Sequence, residues 1–322
     1  MISVENLTKR FGTKLAVNDI SFEVGKGEVL GFLGPNGAGK STTMRMITGY
    51  FEPSAGSVMI DGVSMLDAPR LAKEKIGYLP ENAPLYNDMT VLGFLGFSAD
   101  LRGLTGTARS AAIGRALETC FLEPVRNQSI DTLSKGYRHR TCLAQSIIHD
   151  PEILILDEPT DGLDPNQKAE VRNLIKRMGE TRTIVFSTHI LEEVEAACTR
   201  AIIIDQGKIV ADGTPDELKS RAVDAGALEV RIQGPSASAI REELGRLSCT
   251  KTVTTNSEHQ PHEGEESGCF TGSVIPKGKD KTAALTVEIN DLCRDRGFRI
   301  EELYCNPGRL DDVFRSITQT AE

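Results

Sequence analysis

Residues 34–42 read GPNGAGKST, preceded by the apolar run VLGFL (29–33) and followed by the helical pattern MRMITG (44–49). A strand, a glycine-rich loop and a helix in that order make a recognisable phosphate cradle. The glycines let successive backbone N–H groups converge on phosphate oxygens, and the helix start adds a favourable dipole. On this reading Gly34, Pro35, Asn36, Gly37, Ala38 and Gly39 shape the loop and Lys40 bridges the β- and γ-phosphates of a nucleoside triphosphate. Ser41 ligates Mg²⁺, and Thr42 supports the phosphates.

A second stretch, ILILDE (153–158), supplies the other half of such a site. Its continuous apolar run predicts a strand buried on both faces, as at the centre of a parallel sheet, with acids at its end. Asp157 is placed to organise the metal shell. Glu158 is placed to act as general base on an attacking water. A third strand-like run ends in FSTH (186–189), which puts His189 at a strand terminus, able to bond a phosphate or hold Glu158 and the water in register. These three stretches fit an ATPase, a kinase or a GTPase equally.

Composition narrows the field. The 322 residues allow one large α/β domain, or one of about 200 residues with a smaller companion. With 46 acidic against 37 basic residues the net charge is −9, which argues against a dedicated nucleic-acid binder. The seven cysteines are scattered and form no C-x-x-C pair, so they read as buried small hydrophobes of a reducing compartment. The opening MISVENLTKRFG lacks an apolar signal core, and no run approaches the ~18 apolar residues of a membrane span. A cytoplasmic chain is expected, and if it works at a membrane another protein must cross it.

From residue 1 to about 219 strand-like runs alternate with helical periodicity, interrupted at about 84–150 by a helical insertion. Residues 220–322 read as a small α+β domain of order strand-helix-strand-strand-helix-strand. The hairpin is expected within TTNSEHQPHEGEESGCFTGSVIP (254–276), where His259 and His262 read as part of a solvated loop rather than a metal site.

The stretch LSKGYRHR (133–140) decides among the nucleotide enzymes. The order GPNGAGKST, LSKGY, ILILDEP, DGLD (161–164) and STH resembles the ATP-binding-cassette (ABC) ATPases, and in particular the ATP-binding subunits of bacterial ABC-2-type exporters. YLPENAPLY (78–86) and LSKGYRHR are similar to the gliding-motility-associated branch, and GRLDDVFRSIT (308–318) to exporter subunits with an extra C-terminal domain. The resemblance covers about the first two-thirds of the chain and implies a P-loop NTPase fold of the ABC ATPase type with a helical subdomain, using ATP and Mg²⁺.

The resemblance also implies roles. Phe11 stands where an aromatic ring stacks on adenine. Glu81 stands where a glutamine usually senses Mg²⁺ and touches the membrane partner; a carboxylate accepts there but cannot donate. Ser134 and Gly136 match the family signature, while Lys135 and Tyr137 replace the commoner glycine and glutamine. Ser134, Gly136 and Asp161 are implied to complete the ATP site of a second cassette, in a head-to-tail homodimer or heterodimer. A separate multi-spanning permease would hold that pair at the cytoplasmic face of the inner membrane. Two other classes are weaker: a chromosome-maintenance ATPase carries a long coiled coil and a translation ATPase two cassettes, neither present, while Glu158 and His189 disfavour a purely regulatory module.

Overall fold

The computed structural model describes residues 1–82, 84–259 and 268–318. The chain divides into two compact units, Met1–Pro215 and Asp216–Glu322.

The first unit opens with β1 (Ile2–Phe11) and β2 (Lys14–Val24), then β3 (Val29–Leu33), α1 (Lys40–Ile47), β4 (Ala55–Ile60) and β5 (Val63–Ser64). After α2 (Pro69–Glu74) and β6 (Ile76–Leu79) comes the helical insertion of α3 (Val91–Leu101), α4 (Gly106–Thr119) and α5 (Lys135–Ile147). β7 (Ile153–Asp157), α6 (Pro165–Gly179), β8 (Thr183–Thr188), α7 (Leu191–Ala197), β9 (Arg200–Asp205) and β10 (Lys208–Gly213) complete it. One sheet has the order β2-β1-β4-β5 with antiparallel pairing; the other has the order β10-β9-β3-β8-β7-β6, parallel except at the β10–β9 edge.

Strand alternation explains why ILILD is apolar throughout. Ile153 and Ile155 point into a core shared with the antiparallel sheet and α1, built from Ile2, Leu7, Phe32, Met44 and Val185. Leu154 and Leu156 point the other way, into a core with Leu95, Leu143, Leu174 and Phe186. Successive side chains of a strand leave opposite faces, so a strand with a core on each side has no polar position to spare. The insertion is held by its own signals: Thr90 Oγ1 accepts from Gly93 N (3.0 Å) to cap α3, and Ser134 Oγ accepts from Tyr137 N (3.3 Å) to cap α5.

The second unit opens within the short α8 (Pro215–Lys219) and continues with β11 (Leu228–Gly234), α9 (Ala237–Gly245), β12 (Thr250–His259), β13 (Gly268–Pro276), α10 (Thr282–Arg296), β14 (Arg299–Cys305) and α11 (Leu310–Thr318). Its antiparallel sheet has the order β12-β13-β11-β14, and Val230, Ile232, Phe270 and Val274 pack on Ile240, Leu244, Leu285 and Ile289 of α9 and α10. The hairpin is therefore β12 and β13; the 260–267 connection, with His262, lies outside the described residues. All seven thiols are free, with Cys120, Cys142 and Cys293 buried, but Cys305 is exposed, which corrects the expectation of uniformly buried cysteines. No described helix is long and apolar enough to cross a membrane.

Two histidines of the first unit make stability depend on pH. Burial, and next the charge of Arg102, pull His149 down to about 4 while its Nε2 bonds Ile76 O (3.1 Å); burial also lowers His139 in α5. With folded pKa values below the free value near 6.5, the unfolded chain takes up protons first as pH falls. Their contribution is therefore complete above about pH 6.5 and declines as pH drops toward 4. The thermal midpoint should fall across that window, and His149→Asn should flatten the fall between about pH 6.5 and 5; an unchanged slope would count against the assignment.

Candidate functional site

The phosphate loop is a tight structure with its own internal bonds. Lys40, almost wholly buried, donates from Nζ to Gly34 O (2.7 Å) and Pro35 O (3.3 Å), and Ala38 N donates to Pro35 O (3.2 Å). Gly39 sits at φ +110, and a Cβ there would stand 2.6 Å from Ala16 O, so no other residue fits. These constraints turn the loop back over the first turn of α1 and set Ser41 and Thr42 at the rim of a cleft of about 350 Å³.

That cleft gathers most of the residues singled out in the sequence. Phe11, Asn36, Gly37, Gly39, Lys40, Ser41, Thr42, Glu81 and Glu158 line it together with Lys14 and Ala16. Phe11 is 44% exposed and its ring meets Phe51 edge-on at 5.4 Å, with Lys9 Nζ 5.2 Å from its centre. Such an exposed, supported ring can receive a planar base by stacking. Glu81 lines the same cleft and is exposed.

Behind the cleft lies a polar cluster built by three elements. Asp157, at the end of β7, has no exposed surface. Its Oδ1 accepts from Ser41 Oγ of α1 (3.0 Å) and from Ser187 Oγ of β8 (2.5 Å), while Oδ2 is buried without a hydrogen-bond partner among the described residues. Tyr78 of β6 stays a neutral hydroxyl here, since burial first and the charge of Asp157 second push it up to about 12. A hydroxyl and a carboxylate with a spare buried oxygen are hard donors of the type that Mg²⁺ takes alongside phosphate oxygens and waters, so Ser41 and Asp157 fit that metal.

Glu158 follows directly and turns the other way. It adopts φ +50, left-handed for a residue with a side chain, and its N–H is held by Ser187 O (3.2 Å) and Ser187 Oγ (3.0 Å). Its Oε1 lies 3.6 Å from Lys40 Nζ and its Oε2 3.0 Å from His189 Nδ1. An ionised carboxylate only accepts, so the Nδ1 proton of His189 faces it. This arrangement can hold a water beside Glu158 and take its proton.

Ser134, Gly136 and Asp161 do not line the cleft. They form a second group at the start of α5: Lys135 Nζ reaches Asp161 Oδ2 (3.2 Å), and a Cβ on Gly136 would collide with Gln167 of α6 at 2.4 Å. The rest of the basic stretch is used within the chain. Arg138 donates to Asn87 Oδ1 (2.8 Å), Arg140 pairs with Glu170, and His139 is buried. Ser187 is the residue that sequence reasoning passed over although FSTH contains it. Its importance comes from lying opposite Asp157 in the parallel β7–β8 register, which spacing along one chain cannot reveal.

Known proteins share the fold of the first unit. A family described as "ABC transporter" matches residues 17–161. Nod factor export ATP-binding protein I of Burkholderia orbicola (strain AU 1054) is 35% identical over 321 residues, which is 98% of this chain and 96% of that protein. A solved ATP binding subunit of an ABC transporter superimposes with a TM-score of 0.63 at 29% identity, over 69% of this chain and 92% of that one. A dimeric post-hydrolysis state of an ATP-binding cassette bound to ADP and Pi gives a TM-score of 0.62 at 25% identity, over 67% of this chain and 99% of that one. The chain belongs to the ABC transporter family, as an ATP-binding cassette subunit.

Proposed function

We propose that this subunit hydrolyses ATP to power a bacterial ABC-2-type membrane exporter, working as a head-to-tail pair of cassettes beneath a separate multi-spanning permease. The observation that carries this reading is a separation. Lys40, Ser41 and Glu158 line one cleft, whereas Ser134, Gly136 and Asp161 sit together elsewhere in the same unit, outside that lining. Placed against a second cassette, each group completes the other's site. The relative named for export matches almost the full length of this chain, and a dimeric cassette shares its fold, which supports both parts of the proposal.

In this reading the base stacks on Phe11 and the phosphates lie on the N–H groups of Gly37 to Lys40. Ser134 and the N-terminus of α5 address the γ-phosphate of the partner's ATP. Ser41, Asp157 and Glu81 would hold the metal, and Mg²⁺ would supply neutralisation of the phosphate charge. Glu158 takes a proton from the water that attacks the γ-phosphorus in line, the bond from that phosphorus to the bridging oxygen breaks so that the oxygen leaves with ADP, and His189 holds the carboxylate by its Oε2. Loss of the γ-phosphate removes what the signature residues grip, and the pair opens. Glu81 and the helical insertion pass that motion to the permease, which keeps the subunit at the cytoplasmic face of the inner membrane. Two copies of this chain, or this chain and a homologue, satisfy the scheme equally, and it gives nucleic acid no role.

The gliding-motility-associated branch, to which residues 78–86 and 133–140 are similar, is the narrower form of the proposal. The kind of permease gene found beside this one tests it.

Lys40→Ala removes a charge-assisted phosphate contact worth about 1.5–3 kcal/mol, and fluorescent-nucleotide titration should show ATP affinity ~10- to 100-fold weaker. Glu158→Gln should keep ATP binding, lose ~10²- to 10⁴-fold in turnover and accumulate an ATP-bound dimer on size-exclusion chromatography. Normal turnover by that variant would remove the assigned base. Ser134→Arg should bind ATP as a monomer but fail to dimerise, and dimerisation at the wild-type level would overturn the head-to-tail arrangement.

A further inference from the structure

Glu193, in the first turn of α7, is 1% exposed and lies outside the cleft. A carboxylate buried this completely is costly unless each oxygen is bonded, and apolar side chains of similar volume would fill the space at less cost. Both oxygens are in fact engaged by buried hydroxyls. Thr160 Oγ1 donates to Oε1, and Thr188 Oγ1 donates to Oε2 (2.7 Å).

The positions of the two threonines give the arrangement its meaning. Thr160 stands two residues after Glu158, and Thr188 stands immediately before His189. Thr188 Oγ1 also accepts from Ile190 N (3.0 Å), so it is fixed on both sides of the turn that presents the histidine. Glu158 adopts a left-handed backbone that persists only where its surroundings hold it. Ser187 fixes the Glu158 N–H on one side, and Glu193 fixes the chain beyond it through Thr160.

We propose that Glu193 is a positioning residue for hydrolysis: its carboxylate bolts the backbone carrying Glu158 to the backbone carrying His189, and so sets the contact between those two side chains. The inference rests on reading Glu158 and His189 as the hydrolytic pair. Gln at position 193 keeps the shape but cannot accept from both threonines, because one of its two polar atoms is an NH₂ donor.

The test is steady-state ATPase of the full-length protein and of Glu193→Gln, each also in a His189→Ala background. Misplacing a reacting group by a fraction of an ångström should lower kcat ~10- to 100-fold. KM, fluorescent-ATP affinity and the thermal midpoint should stay near wild type, and the acid limb of the kcat–pH profile should move. In the His189→Ala background Glu193→Gln should add no further loss, because groups that act as one unit do not multiply. Wild-type kcat in Glu193→Gln, or losses that multiply with His189→Ala, would overturn the proposal while leaving the ATPase reading intact. Normal turnover in a parallel Glu158→Gln enzyme would remove both. If Glu193→Gln fails to unfold cooperatively, Thr160→Val, which deletes one hydroxyl at nearly constant shape, must show the same kcat loss at unchanged KM, and wild-type kcat there overturns the proposal equally.

Discussion

Asp157 is a carboxylate with no exposed surface, and the architecture of the nucleotide site follows from having to satisfy it. A buried anion must be met by donors or by a cation, since water cannot reach it. The donors are Ser41 from the start of α1 and Ser187 from β8, and they converge only if β7 lies beside β8 with α1 beginning over their ends. That requirement ties the phosphate loop, the acidic strand end and the histidine turn into one object. The two hydrophobic cores on either side of β7 then serve to hold a strand whose last residue has little freedom to move.

Much of this was legible in the residues, for identifiable reasons. GPNGAGKST announces a loop whose glycines have few alternative uses, and the apolar ILILD can be stable only with cover on both faces. In the accessory unit the hairpin expected within residues 254–276 is formed by β12 and β13, although the alternating burial along β13 shows only once the strand is packed. What stayed hidden was adjacency. Nothing in FSTH says that its serine touches Asp157, and nothing in HILEEVE says which of three glutamates turns inward to meet Thr160 and Thr188. Those facts depend on strand order and on the path of α7, which non-local packing decides.

The basic stretch 133–140 shows how local charge misleads when read alone. By charge alone Lys135, Arg138, His139 and Arg140 would face an outside anion, yet Lys135, Arg138 and Arg140 have protein partners and His139 is withdrawn from solvent. The net negative charge of the chain is therefore compatible with this patch, whose charges are largely spent within the fold.

The partners of α5 also differ in strength along its length. Near its start, Lys135 and Asp161 are mostly in solvent, at 67% and 55% exposure, so their pairing contributes no more than about 1 kcal/mol and fades with salt. Five residues on, the Arg140 side chain is 10% exposed, paired with Glu170 and flanked by the rings of Phe121 and Tyr137. α5 is therefore anchored more firmly in its middle, at Arg140, than the exposed Lys135–Asp161 pair anchors its start.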